Sequence, residues 1–303
     1  MKIPFSMHSF EEIELSGYIW QQETENQPKG IVIIAHGMAE TIERYEAFAE
    51  HLSESGYVVY GINQRGHGLN AEMLGYLGDD GWYKMKEDLK HVVDLAKTSY
   101  LGKPVFIFGH SMGSFLTRDF LLDYSYLING AILSGTGFYS KPELKLGQWL
   151  SKRDVLKFGD RHISKFIDNI AFGKNNKKIK EPNTPFDWLS RDSDQVAAYI
   201  ADPLCGQIHP SSFFYLFFSA LERILYSSTF SNFETKRPLF LISGDMDPVG
   251  NYGKGVKKSA LRYKAIGFDT QVKLYKEGRH EMLNEINRRD VFEDIITWLN
   301  AYV

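Results

Sequence analysis

Apolar and polar positions along the chain follow two alternating rhythms. Short, unbroken apolar runs bounded by glycine or asparagine recur at GIVIIAHG (30–37), YVVYGIN (57–63), PVFIFG (104–109), GAILSG (130–135) and PLFLISG (238–244). Runs of that length, rich in β-branched and aromatic residues, suit strands buried on both faces of a sheet. Between several of them lie stretches with helical spacing. Residues 41–55 put Ile42, Tyr45, Phe48, Ala49 and Leu52 on one face and stop before Gly56, where a helix commonly ends. Helices are also predicted over 82–98, 113–124 and 289–302, an early strand over 11–20 and a last strand over 270–278. Strands alternating with helices predict a mostly parallel sheet with helices on both faces. In open sheets of this kind the functional crevice lies outside the carboxyl ends of the strands.

One spacing breaks the rhythm. Between Gly137 and Pro238 the chain is locally helical and rich in aromatics, where a single helix would suffice. Residues 138–225 read as an inserted helical cap over the crevice, leaving 1–137 and 226–303 as the core. Within this stretch, SSFFYLFFSALERILY (211–226) places Phe213, Phe214, Leu216, Phe217, Ala220, Leu221, Ile224 and Leu225 on one broad apolar face. That pattern favours a buried helix of cap or core. The alternative is a transient contact of the cap with a membrane surface.

Composition narrows the functional classes. The 303 residues are 43% hydrophobic and 24% charged, with a net charge of −3, the balance of a soluble globular protein with a sizeable core. Nothing suggests a basic surface for nucleic acid, and the lysine-rich run from Lys174 to Lys180 reads as a solvated loop. The single cysteine, Cys205, cannot form an intramolecular disulfide and reads as buried and inert. No apolar run approaches the ~18 residues of a membrane span, and the first residues lack the apolar segment of a signal peptide. A cytoplasmic location is therefore the default expectation. Histidines and carboxylates show no metal-ligand spacing and no glycine-rich phosphate loop occurs, so no cofactor is expected.

The chemistry centres on FIFGHSMGSF (106–115). Glycines two residues either side of a serine, between a strand and a helix, make a nucleophile elbow. Side chains at the glycine positions would collide with neighbouring backbone, and the serine hydroxyl is left standing above the sheet. The hydroxyl of Ser111 needs a base to take its proton, and the base needs an orienting acid. In this architecture the order along the chain is serine, acid, histidine. Three histidines follow Ser111: His162 and His209 fall in the inserted stretch, and His280 follows the sixth of these strands. The acid is offered by SGDMDPVG (243–250), which contains Asp245 and Asp247. Pro248 biases Asp247 towards an extended conformation, which suits a carboxylate turned back towards the histidine. Asp245, at the strand's end, is better placed to hold the loop. Two backbone N–H groups are needed for the oxyanion; Met112 supplies one, and Met38, after the GIVIIAHG strand, the other. His67 in RGHG reads as a structural turn residue.

AHGMAETIERY, GHSMGS, SGDMDPVG and GRHEMLNE together resemble the monoacylglycerol lipase and lysophospholipase group of α/β-hydrolases, and NQRGHG (63–68) and ADPLCG (201–206) resemble its bacterial members. The resemblance spans nearly the whole chain. It implies an α/β-hydrolase fold, Ser111 as nucleophile, Asp247 as acid, His280 as base, and the N–H groups of Met38 and Met112 as oxyanion hole. The expected substrate is an acyl-ester lipid with a single chain, a monoacylglycerol or a lysophospholipid. Two rivals stand beside this reading. An aminopeptidase would need cap carboxylates to hold a free amine, with Asp187, Asp192 and Asp194 available. A non-catalytic ligand receptor on the same scaffold would be expected to have lost a triad member, and none is lost here.

Overall fold

The computed structural model describes residues 1–24, 26–226 and 237–303. Residues 25 and 227–236, which fall within the stretches assigned to the core, lie outside the described residues. An eight-stranded sheet organises the molecule: β1 (Lys2–His8), β2 (Glu14–Trp20), β3 (Gly30–Ala35), β4 (Tyr57–Ile62), β5 (Val105–His110), β6 (Gly130–Ser134), β7 (Leu239–Gly244) and β8 (Thr270–Tyr275), in the spatial order β1-β2-β4-β3-β5-β6-β7-β8. β1 and β2 pair antiparallel at one edge, and the remaining strands run parallel. Every residue of β3 to β7 is buried. This is why those strands read as continuous apolar runs rather than as alternations.

Successive side chains feed two separate layers. Ile31, Ile33 and Ile107 pack on one face with α2 (Gly81–Ser99), α3 (Met112–Tyr124) and α8 (Lys254–Ala265). Val32, Ile34, Phe106 and Phe108 pack on the other with α1 (Glu46–Glu54) and α9 (Arg288–Asn300). Phe108, for instance, lies 5.1 Å from the Phe48 ring of α1. This is the α/β-hydrolase fold.

Between β6 and β7 run α4 (Lys141–Phe158), α5 (Lys165–Phe172), α6 (Ser193–Ala201) and α7 (Ser211–Tyr226). α4 opens with a reciprocal Ser140–Glu143 capping box, which satisfies two of the helix's orphan N–H groups. Phe213, Phe214, Leu221, Ile224 and Leu225 of α7 are fully buried, and the helix packs on α4, α3 and α2. Its broad apolar face is therefore part of the main core. Among the described residues no helix is long and apolar enough to cross a membrane.

The structure departs from the pattern in three places. β1 gives almost no apolar run, because it is an edge strand with one fully buried residue, Met7. The early strand starts at Glu14, after a one-turn 3-10 helix at Phe10–Glu12. The helix expected over 41–55 begins as a 3-10 turn, Ile42–Tyr45, and becomes α-helical at Glu46.

Candidate active site

Ser111 is the residue between β5 and α3, and its backbone is strained at φ +49°, ψ −116°. A non-glycine residue at positive φ costs on the order of 1–3 kcal/mol and persists only where its surroundings enforce it. The enforcement is visible. Ser111 N–H donates to Ser134 O at 2.9 Å, and its carbonyl accepts from the N–H groups of Ser114 and Phe115. A Cβ at Gly113 would run into the Ala35 carbonyl of β3, and one at Gly109 would meet the Gly113 carbonyl and the Thr117 hydroxyl. The two glycines thus let α3 start directly against the sheet, with Ser111 at its apex.

The loops after β7 and β8 bring Asp247 and His280 together. His280 Nδ1 donates to Asp247 Oδ1 at 3.0 Å, and both side chains are almost wholly buried. Asp247 is fixed in turn: Oδ1 accepts the Val249 N–H at 2.9 Å and Oδ2 the Ser243 hydroxyl at 3.0 Å. Asp245 does something different. Its Oδ1 accepts the Glu277 N–H at 2.7 Å and so ties the β7 loop to the end of β8.

Ser111, Met112, Met38 and His280 line one cavity of about 500 Å³, together with apolar walls from Phe115, Tyr139, Phe172, Trp188 and Phe217. The Met38 loop is pinned on both sides. Gly37 N–H donates to the Glu40 carboxylate, Ala39 N–H to His67 Nε2 at 3.3 Å, and Ala39 O accepts from Gly206 N–H at 2.9 Å. Among the described residues neither Met38 N–H nor Met112 N–H has a hydrogen-bond acceptor, and both residues face the cavity.

Electrostatics single out one imidazole. Burial pulls the pKa of His280 down, but the Asp247 carboxylate outweighs it, with Glu281 and Glu40 adding to the effect, and the net shift is upward from 6.5. Burial raises the Asp247 carboxyl, and the His280 contact overcomes that and holds it below its ordinary value. The four other buried histidines go the opposite way: burial pushes His36 down to about 4, and His67, His110 and His209 to about 3. They stay neutral at physiological pH, and among the buried imidazoles His280 alone is shifted upward.

A family model described as serine aminopeptidase, S33 (Hydrolase_4) matches residues 26–287. The chain belongs to this family. Within it, this α/β-hydrolase sits in the monoacylglycerol lipase and lysophospholipase group. It is 27% identical to the monoacylglycerol lipase of Mycolicibacterium smegmatis, over 94% of this chain and 92% of that one. A thermostable carboxyl esterase from Bacillus coagulans, solved with glycerol, matches with a TM-score of 0.91 and 30% identity over 99% and 98% of the two chains. The monoglyceride lipase of Saccharomyces cerevisiae, solved with a substrate analogue, shares the fold at TM-score 0.79 and 20% identity, over 100% and 97%.

Of the carboxylates named for an aminopeptidase, Asp187 accepts from Asn183 N–H and the Thr184 hydroxyl, and Asp192 caps α6 and pairs with Arg288. Neither they nor Asp194 line the cavity; Asp168 of α5, Glu40 and Glu281 do. Sequence reasoning missed these three. Glu40 and Arg44 stand four residues apart inside AHGMAETIERY, and Glu281 follows His280 directly, so both were in view. Asp168 carries no motif at all.

The pKa directions fix a pH response. The four histidines held neutral by burial must gain protons on unfolding, so their contribution to stability is complete above pH 6.5 and is lost as pH falls towards 3 to 4. Histidine Cε1–H resonances followed by NMR should show His280 titrating above the ordinary value. The four buried ones should stay neutral until the protein unfolds in acid. A His36, His67, His110 or His209 that charges in the folded state near pH 6 would contradict this assignment.

Proposed function

We propose that this carboxylic ester hydrolase cleaves the ester of an acyl lipid with a single chain and an uncharged polyol head group, a monoacylglycerol, through an acyl-enzyme. Ser111 attacks the carbonyl carbon and His280 takes the hydroxyl proton on Nε2. The carbonyl oxygen gains negative charge between the N–H groups of Met38 and Met112. On collapse, His280 returns the proton to the leaving glycerol oxygen. It then draws a proton from water, which displaces the acyl group from Ser111. Asp247 keeps Nδ1 protonated and stabilises the imidazolium. The 138–225 segment serves as the cap, with Phe172, Trp188 and Phe217 as apolar walls for the acyl chain.

The observation that carries the choice of head group is the charge of the cavity. Among the described lining residues there is no lysine and no arginine; of the carboxylates there, Glu40 and Glu281 are paired with Arg44 behind the wall, and Asp168 is not. Burial raises the pKa of Asp168, and among the described residues no hydrogen bond or ion pair engages its side chain. A phosphodiester is anionic and finds neither a cationic partner nor a guanidinium fork; glycerol hydroxyls can donate to a carboxylate. The lysophospholipid reading is therefore the second choice. A kinetic panel decides between them: monoacylglycerols and lysophosphatidyl esters of the same acyl chain should differ in kcat/KM in favour of the former. Equal or reversed rates would overturn the head-group choice.

Two sets of variants test the rest. Ser111→Ala should abolish labelling by a fluorophosphonate and lower kcat by at least ~10⁴-fold. Asp247→Asn should fold and lose most of its kcat, whereas Asp245→Ala, which cuts the tie to Glu277, should lower the melting temperature and keep a substantial part of the activity. Exchanged effects would move the acid to Asp245.

Phe217 stacks on Phe213 and packs against the rings of Phe115 and Trp82 at the cavity wall. Phe217→Asp should reduce kcat/KM for long-chain esters far more than for acetyl esters, since each buried methylene is worth up to ~0.8 kcal/mol. An equal loss on both would mark the residue as structural only.

A further inference from the structure

One buried cluster beside the site has no part in the steps above. Arg44 holds Glu281 with both nitrogens of its fork, at 2.6 Å each, and its Nη1 also reaches Glu40 at 2.7 Å. Glu40 accepts in addition from the Tyr45 hydroxyl at 2.7 Å and from Gly37 N–H, and Glu281 from Asn284 Nδ2 at 3.0 Å. The Tyr199 ring of α6 closes the cluster from above, 4.8 Å from the guanidinium. All three charged side chains are 10% exposed or less. Taking such charges out of water costs free energy that their attraction often only offsets, and a packed apolar replacement is frequently as stable. Stability alone is thus a poor reason for this arrangement.

Its placement offers a better one. Glu40 belongs to the loop that presents Met38 N–H, and Glu281 is the neighbour of His280. The guanidinium therefore spans the two loops that must meet across the reacting carbonyl. We propose that the Glu40–Arg44–Glu281 cluster is a positioning device: it fixes the Met38 donor against the His280 base, and the Glu281 charge supports the imidazolium. This inference rests on the Ser111–His280–Asp247 reading.

The charges facing His280 can be named element by element. Asp247 comes from the loop after β7, Glu281 from its own loop, and Glu40 with Arg44 from the stretch after β3. His110, at the end of β5, has its ring 4.7 Å away and is neutral. Trp188, 4.9 Å away, carries no charge, and burial keeps Tyr139 and Tyr252, beside Asp247, in their neutral phenol form. Glu281 itself is ionised: burial opposes the charge, but Arg44 holds its pKa at about 2. Removing that charge takes away support for His280⁺, so the group should deprotonate at lower pH.

The test uses the full chain, a short acyl ester, and the variants Glu281→Gln and Arg44→Lys, with wild type and Ser111→Ala as controls. Glu281→Gln should lower kcat by up to ~100-fold, the scale of a small misplacement of catalytic groups. KM should change little, and the acid limb of kcat/KM should move to lower pH. Arg44→Lys keeps the charge but loses the planar fork, so kcat should fall while the acid limb stays in place. An unmoved acid limb in Glu281→Gln, or a loss matched by higher KM and a lower melting temperature, would reduce the cluster to a structural ion pair. Should Glu281→Gln not fold, wild-type kcat in folded Arg44→Lys would overturn the proposal alone. An inactive wild type, or Ser111→Ala as active as wild type, would instead sink the triad reading on which it stands.

Discussion

The whole site hangs from one strained backbone position. Ser111 cannot relax from its positive φ without moving either β5 or α3. β5 is paired on both edges, with β3 and β6. α3 is pressed against the sheet at Gly113, where the Ala35 carbonyl leaves no room for a side chain. Ala35 is the last residue of β3, and the Met38 loop begins two residues later. The contact that forces the serine into its conformation therefore also sets the distance from the serine to the Met38 N–H. Ser111 and the Met38 and Met112 N–H groups are positioned by one packing event, which is what rigid elements supply and loops alone do not.

A second constraint is electrostatic. Five imidazoles are buried in and around the site, and only one is held in reach of its charged form. His36, His67, His110 and His209 are neutral because burial penalises their charged forms. His280 differs in one respect: a carboxylate sits directly on its Nδ1. The same low dielectric that silences the first four makes the Asp247 contact strong for the fifth. Selectivity among five buried imidazoles thus needs no difference in exposure, only the placement of one carboxylate.

Much of this was legible in the chain, because the buried strands and the elbow leave direct marks. A strand covered on both faces has to be apolar throughout, so β3 to β7 stood out as runs, and Gly109, Ser111 and Gly113 mark a turn that few other residue types can make. β1 was not legible, since an edge strand with a single buried side chain has no run to show. Asp168 was not legible for a different reason. Its meaning comes from having no partner among the described residues and from lining a cavity assembled by segments distant in sequence. The choice between Asp245 and Asp247 lies between these cases: proline geometry inclined it one way, and the structure shows one carboxylate on the histidine and the other on the Glu277 backbone.

The segment between β6 and β7 is bound to the site too closely to act as a detached lid. His280 N–H and Glu281 N–H donate to the carbonyls of Trp188 and Leu189, Gly206 N–H donates to Ala39 O, and Tyr199 lies over Arg44. α7 is embedded in the main core. Opening the segment as one body would break backbone hydrogen bonds at the His280 loop and the Met38 loop together. Access to Ser111 is then more economical through local movement of α5, whose Phe166 and Ile170 are exposed and which contributes Asp168 and Phe172 to the cavity wall. The segment thus divides in two: α6, α7 and the strip around Trp188 hold the Met38 and His280 loops, and α5 forms part of the cavity wall.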